Sequence, residues 1–533
     1  MEPMKVKTRL VGVLSLIVAL CATGPRFALA KGDRPRLLVV LVVDQMRADY
    51  VERFGGKWKG GLARLYSTGA VFTEAAYPYL QTVTCAGHAT IGTGTFPVHH
   101  GMVLNGWWSH DKGRTVPCTE DPGVLTVSES GTGKVGDSAH LLRAETLADV
   151  LREQTWPNAR VVALSLKARS AINLGGRRPF ASLWFEGTAP VSSTAFTDRL
   201  PEFARGFSAL PASAPRTWTQ LHPSSAYAFD DAGLAEPSAN ERFPHTINEK
   251  NWSASPAGDR ALVELATRAV TQLSLGKKDS TDLLAVSFSS LDLVGHSFGP
   301  RSHEVQDILY RLDLEFGRLL SVLDRQLGRD GYVVALSADH GVATIPEQLV
   351  ELGMDAGRVP TKAVGDRVQA QIASELGAGN WVAAVNYTDI YLVPGTLERL
   401  RQKPGALSRV SRAIETVPGV EAAFSHDDLV APTPACGAAC KAASLSFFPG
   451  RSGDFILSPK PNWITVDAGA THGSRNRYDQ HVPLVFMGKG IRPGNYADAA
   501  SPADIAPTLG ALAGVTLPRP DGRVLRVAFT PRR

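Results

Sequence analysis

Residues 36–44 read RLLVVLVVD. A near-continuous apolar run of this length, rich in valine, suits a strand buried on both faces; a half-buried strand would alternate. The pattern recurs. Residues 282–290 (DLLAVSFSS) lead into Leu291-Asp292, residues 332–338 (YVVALSA) into Asp339-His340, and 482–487 (VPLVFM) follow the segment Thr471-His472-Gly473. Such runs predict an α/β fold, a mainly parallel sheet sandwiched by helices. Helical periodicity lies between them, at 139–154, 260–274 and 303–327. Ligands in such folds gather at the carboxyl ends of the strands. Three of the runs deliver Asp or Asp-His to that edge.

Outward from these runs, the stretches at about 106–255 and 345–468 are rich in Pro, Gly, Ser and Trp. They are expected as insertions that cap the sheet edge within one catalytic domain spanning 31–533. The N-terminus reads as an address: basic residues up to Arg9 precede the apolar run Leu10 to Ala22, and Ala28-Leu29-Ala30 fits small-x-small cleavage. A signal peptide over 1–30 and export to the periplasm or beyond are expected. The apolar run falls short of the roughly 20 residues that span a bilayer, so a retained anchor helix is the lesser alternative.

Composition narrows the function classes. The 533 residues are 44% hydrophobic and 20% charged, which excludes a disordered, collagen-like or multi-span membrane chain. Of the formal charge of +5, the first 30 residues hold +3, through Lys5, Lys7, Arg9 and Arg26 against Glu2. The remainder is nearly neutral, so no nucleic-acid partner is expected. A monomer without a membrane anchor after cleavage is the expectation. Beyond Cys21, four cysteines remain. An even number in an exported chain favours disulfides: Cys436–Cys440 closes a short loop and Cys85–Cys118 is the remainder. Metal ligation by four thiolates lacks zinc-ribbon spacing.

The chemistry-bearing residues assemble into two groups of three. Asp292 and His296, four apart, share a face if the segment turns helically; His472 supplies a second imidazole. Asp44, Asp339 and His340 form the other group. Mixed N/O sites with open positions suit catalytic zinc, so two zinc ions per chain are expected; any one Asp-His pair alone is an ordinary turn or polar pair. Thr84 precedes a small-residue segment able to begin a helix, whose unpaired N–H groups favour an alkoxide and a phosphoryl group. A threonine hydroxyl attacks only when activated, for example by zinc. Helix capping is the plain alternative for Thr84, Thr82 competes with it, and His88 receives no catalytic role. Lys167 and Arg169 follow the apolar run 160–166, where an extended backbone sets both on one face; alone, such a pair is a solvated face.

The motifs LVVDQMRADY, TCAGHATIGTG, SSLDLVGHSFGP, ADHGV, THGS with HVPLVFMGKGI, and DIAPTLGALAG together resemble the alkaline phosphatase superfamily. The first of them, with Asn105-Gly-Trp-Trp108 and Lys167-Ala-Arg169, is similar to its bacterial periplasmic PafA-type alkaline phosphatases. The likeness runs from about residue 36 to 525. It implies two zinc ions beside a threonine nucleophile, with Thr84 in that role and also a metal ligand, and the six ligands falling on the two groups above. It also places Asn105, Lys167 and Arg169 on the phosphoryl group, joined by the backbone N–H of Cys85. His472 rather than His481 matches the last ligand motif. Two cations suit the dianionic end of a phosphate monoester, so monoester hydrolysis through a phosphothreonine is expected. A phosphodiesterase or nucleotide pyrophosphatase on the same core is the nearest rival. A sulfatase lacks its Cys-x-Pro-x-Arg context here, and a non-catalytic phosphate-binding protein would not need the full residue set.

Overall fold

A computed structural model of the chain describes residues 34–155, 159–229, 242–433 and 436–531. The expected signal peptide lies outside them. The central run is the strand Leu37–Val43, all seven residues buried. It pairs in parallel with Asp282–Phe288 on one side and Tyr332–Ser337 on the other. Val161–Ser165 and then Ala181–Glu186 continue the parallel order. These five strands are the middle of an 11-stranded sheet whose margins are largely antiparallel. The fold is thus α/β with a parallel core, and apolar clusters pack against both faces of the sheet.

Register places the chemistry. Val42 pairs with both Ser287 and Ser337, and Ser287 pairs with Ser165. Two residues further along each strand stand Asp44, Ser289, Asp339 and Lys167, all level at the carboxyl edge. The strand Leu484–Gly488 departs from the parallel expectation and runs antiparallel to Tyr332–Ser337. Its direction brings its N-terminal approach, with His472, to the same edge. The helix His303–Leu327 spans the residues its periodicity indicates, and Pro256–Gln272 starts slightly earlier than expected.

The expected cap at 106–255 divides. Val161–Ser165 and Ala181–Glu186 belong to the main sheet, because their apolar residues complete its buried interior. The hairpin Gly106–Ser109 with Arg114–Pro117 lies outside that sheet. The stretch 345–468 builds a four-stranded antiparallel sheet of its own over a separate apolar cluster that includes Val364, Val368, Leu400, Ile414 and Leu457. Asn386 Nδ2 donates to Gly106 O at 2.9 Å, and Gln81 Nε2 donates to Thr388 Oγ1 at 2.8 Å. These bonds brace the unit against the hairpin and against the segment before Thr84. Among the described residues no helix is long and apolar enough to cross a membrane. The structure contains the disulfides Cys85–Cys118 and Cys436–Cys440.

Candidate active site

The helix Thr84–Thr93 begins the site. All ten of its residues are buried, and Val83, in extended conformation, is its cap. Thr84 is therefore the first helical residue rather than the cap, and its hydroxyl is free of a capping bond. Instead Thr84 Oγ1 lies 3.4 Å from His340 Nε2. The helix lies close under the strand ends because Gly87, which has no side chain, faces the Asp339 backbone.

Asp292 and His296 occupy one face of the helix Ser290–Phe298, with His296 Nε2 3.1 Å from Asp292 Oδ1. His472 Nε2 is 3.9 Å from the same oxygen, so Asp292, His296 and His472 present ligand atoms within 4.8 Å of one another. His340 Nε2 lies 3.5 Å from Asp44 Oδ1 and 3.3 Å from Asp339 Oδ2. The second cluster defined by that same spacing is Asp44, Asp292 and His340. Asp292 thus stands within reach of both groups. His340 and His472 stack with ring centroids 3.4 Å apart.

The three imidazoles are oriented alike. His296 Nδ1 meets Ala470 O at 2.7 Å, His340 Nδ1 meets Gly341 O at 2.9 Å, and His472 Nδ1 meets Thr82 O at 2.8 Å. A carbonyl partner fixes the proton on Nδ1 and leaves the Nε2 lone pair facing the site. Burial lowers His340 to about 3. Burial, with His340 and His296 close by, puts His472 well below the usual imidazole range. Burial works the same way on His296, but Asp292 outweighs it and raises that imidazole. Asp339 is raised by burial and by the adjacent Asp44. Asp44 Oδ1 and Asp339 Oδ2 are buried without a hydrogen-bond partner. These two carboxylate oxygens, both within 3.5 Å of His340 Nε2, are a candidate donor set for a divalent cation.

Lys167 and Arg169 do not share an extended face. Lys167 is extended at the end of its strand, whereas Arg169 lies in the first turn of the helix Ala168–Gly175. The strand-to-helix turn, and not strand alternation, brings them to the site. Lys167 Nζ donates to Asp44 Oδ2 at 2.6 Å and to Asp292 Oδ2 at 2.5 Å. Burial disfavours its ammonium, yet Asp292 and then Asp44 prevail and raise its pKa. Burial likewise pushes the Asp292 carboxyl up, but Lys167 and His296 hold it well below the usual carboxylate range. Arg169 Nε is buried without a hydrogen-bond partner. Asn105 Oδ1 accepts the N–H of Cys85 at 2.8 Å, so that N–H is engaged and not left for substrate, contrary to expectation. The bond turns the Asn105 amide so that Nδ2 remains as a donor.

Several residues escaped sequence reasoning. Gln45 has a left-handed backbone (φ 72°); its N–H donates to Asp339 Oδ1 at 3.1 Å and its Nε2 to Asp292 Oδ1 at 2.8 Å. Its adjacency to Asp44 was the only available signal. His88, given no catalytic role, is wholly buried, with Nδ1 2.8 Å from Thr84 O and Nε2 2.7 Å from Ser287 Oγ. It ties the start of the Thr84–Thr93 helix to the neighbouring strand. Tyr387, also left-handed, donates its hydroxyl to His472 O. Thr82 donates to Ser474 O at 3.0 Å, and His481 Nε2 meets Thr73 O at 2.8 Å; both are tied into loop structure.

Residues 38–481 match the family described as type I phosphodiesterase / nucleotide pyrophosphatase. The chain belongs to this family, within the alkaline phosphatase superfamily. This family member is 32% identical to alkaline phosphatase PafA of Elizabethkingia meningoseptica, over 91% of this chain and 92% of that protein. It is 31% identical to alkaline phosphatase PhoV of Synechococcus elongatus, over 93% and 92%. Its structure is similar to the crystal structure of wild-type alkaline phosphatase PafA, with TM-score 0.85 and 30% identity over 93% of this chain and 99% of the other. A variant of that enzyme substituted at a threonine, an asparagine, a lysine and an arginine gives TM-score 0.83 at 28% identity, over 93% and 99%.

Proposed function

We propose that this protein is a periplasmic alkaline phosphatase that hydrolyses phosphate monoesters through a phosphothreonine on Thr84, at a site holding two zinc ions. Full-length likeness to proteins named alkaline phosphatases makes it a phosphoric monoester hydrolase. The observation that carries the finer reading is the position of Lys167 Nζ, on one carboxylate from each expected ligand group, in a cluster that also holds Thr84. A fixed cation there matches the dianionic end of a monoester. The four residues altered in the PafA variant follow one another at the same intervals as Thr84, Asn105, Lys167 and Arg169, which supports giving these four the phosphoryl group.

Asp292, His296 and His472 would hold one zinc ion, and Asp44, Asp339 and His340 the other, beside Thr84. Zinc supplies Lewis acidity: it lowers the pKa of a hydroxyl or water and neutralises developing negative charge. Thr84 Oγ1 attacks phosphorus as the ester P–O bond breaks and the leaving alcohol departs. Water then cleaves the phosphothreonine, releasing inorganic phosphate and restoring the hydroxyl. Asn105 Nδ2 donates to a non-bridging oxygen. Lys167 and Arg169 neutralise two others, Arg169 through the guanidinium whose Nε has no protein partner. Because phosphoryl transfer asks for little covalent help, positioning and charge supply most of the acceleration.

The family description itself favours one rival, a phosphodiesterase. The test compares kcat/KM for an aryl monophosphate with that for its methyl diester. Monoester preference that collapses in Lys167→Ala and Arg169→Ala, with turnover abolished in Thr84→Ala, is expected. Diester preference indifferent to both cations would reject the assignment, and wild-type phosphate binding without turnover would favour a binding protein.

A further inference from the structure

Cys85 directly follows Thr84, and its sulfur is joined to Cys118, 33 residues away. Cys118 lies just past the hairpin whose first strand begins after Asn105, with Gly106 paired to Pro117. The Cys118 N–H donates to Asn105 O at 3.0 Å, and the Cys85 N–H donates to Asn105 Oδ1 at 2.8 Å. Both ends of the disulfide therefore grip Asn105, one by its backbone and one by its side-chain amide. On the other side, Asn173 Nδ2 reaches Cys85 Sγ at 3.2 Å and Arg169 O at 2.9 Å. All three of Cys85, Cys118 and Asn173 are buried. The second disulfide, Cys436–Cys440, closes a loop with a sequence separation of 4, and among the described residues its Cys440 sulfur meets Asp428 O at 4.0 Å rather than a site residue.

From this geometry we infer that the Cys85–Cys118 disulfide and Asn173 form one positioning unit, which sets the Asn105 amide and the Arg169 turn against the Thr84 hydroxyl. Without the covalent tie, the Asn105 hairpin is held to the nucleophile's helix by individual hydrogen bonds, which give way singly. With it, those bonds close rings of fixed length, and Nδ2 of Asn105 stays aimed at the phosphoryl position. The inference rests on the proposed function for the roles of Thr84, Asn105 and Arg169. Cys85, Cys118 and Asn173 are positioning residues, since none is placed on substrate.

The test is a pair of mutant cycles on the full mature chain. Cys85→Ala/Cys118→Ala should lower monoester kcat/KM by about tenfold to 100-fold, the range set by ångström-scale misplacement of a recognition group. Inhibition by inorganic phosphate should weaken alongside. In an Asn105→Ala background the same cysteine change should cost clearly less than in wild type, since one of the two groups it positions is gone and only the Arg169 turn remains to be disturbed. Cys436→Ser/Cys440→Ser should leave kcat/KM unchanged. Equal losses with and without Asn105, or unaltered phosphate inhibition, would overturn the inference. Should the cysteine variant not fold, Asn173→Ala keeps the disulfide and decides the matter. Its loss should vanish in an Arg169→Ala background, and additivity there is the contrary result. If Thr84→Ala still turns over, the proposed function fails; additive cycles in an enzyme that needs Thr84 defeat the positioning unit alone.

Discussion

Gly87→Ala adds one carbon to a backbone contact directly beneath the site. A β-carbon at Gly87 would meet Asp339 O, lie 2.6 Å from Asp339 Cβ and lie 2.7 Å from Asp339 C. Ordinary carbon–carbon contact begins near 3.5 Å, so helix and strand end must separate by roughly 1 Å. Neither side yields easily. The helix Thr84–Thr93 is buried throughout, and Gly92 on the same helix abuts Asn173 O. Overpacking of this kind destabilises by about 1–3 kcal/mol. Its larger effect should be on the site, because Asp339 and Thr84 move apart together. A displacement of about 1 Å can lower the rate about 100-fold. The assays are steady-state hydrolysis of an aryl monophosphate, zinc stoichiometry of the purified protein and the urea midpoint. Expected are a kcat/KM near one-hundredth of wild type, a lower midpoint and weakened retention of one zinc. A Gly87→Ala enzyme with wild-type kcat/KM would refute the argument that this contact sets the Thr84–Asp339 geometry.

Gly295→Ala should be milder: the new carbon meets the Gln45 side-chain amide, which can rotate away at the expense of its bond to Asp292. A fall in kcat/KM of about tenfold or less, with folding intact, is the expected outcome by steady-state kinetics. Asp259 is pushed up to about 7 from an ordinary 3.8, first by burial, with Ser290 pulling the other way. Because its folded pKa exceeds the unfolded one, the stability it contributes is complete below pH 3.8 and is lost as pH rises through about 7. Urea midpoints of Asp259→Asn should therefore fall less steeply than wild type across that window, and parallel curves would refute the assignment. Dialysis against a chelator should abolish turnover and lower the melting temperature, with zinc restoring both; undiminished turnover in the metal-free protein would be inconsistent with the proposed site. N-terminal sequencing of exported protein should begin near Lys31, and a chain still starting at Met1 would contradict signal-peptide cleavage.

The residues most open to sequence reading were those whose surroundings are dictated by burial. An apolar run such as 36–43 reports that both of its faces are covered, so the core strands and the aspartates that end them could be found one at a time. The helix 303–327 was equally open, since a repeating apolar stripe needs no knowledge of what it packs against. What a run does not carry is its neighbour or its direction. Only strand pairing shows Leu484–Gly488 running antiparallel, and that direction is what carries His472 to the shared edge. Likewise Arg169 enters through a helical turn, Asp292 stands within reach of both candidate ligand groups, and Gln45 takes a left-handed backbone to reach Asp292 and Asp339. The strand direction, the place of Asp292 and the reach of Gln45 depend on contacts between residues far apart in the chain, and local periodicity reports only how a segment faces the interior. The amino-acid sequence alone thus determined which side chains could do the chemistry. The tertiary structure decided how they converge, because convergence is set by register, strand direction and the closeness of glycine-lined contacts.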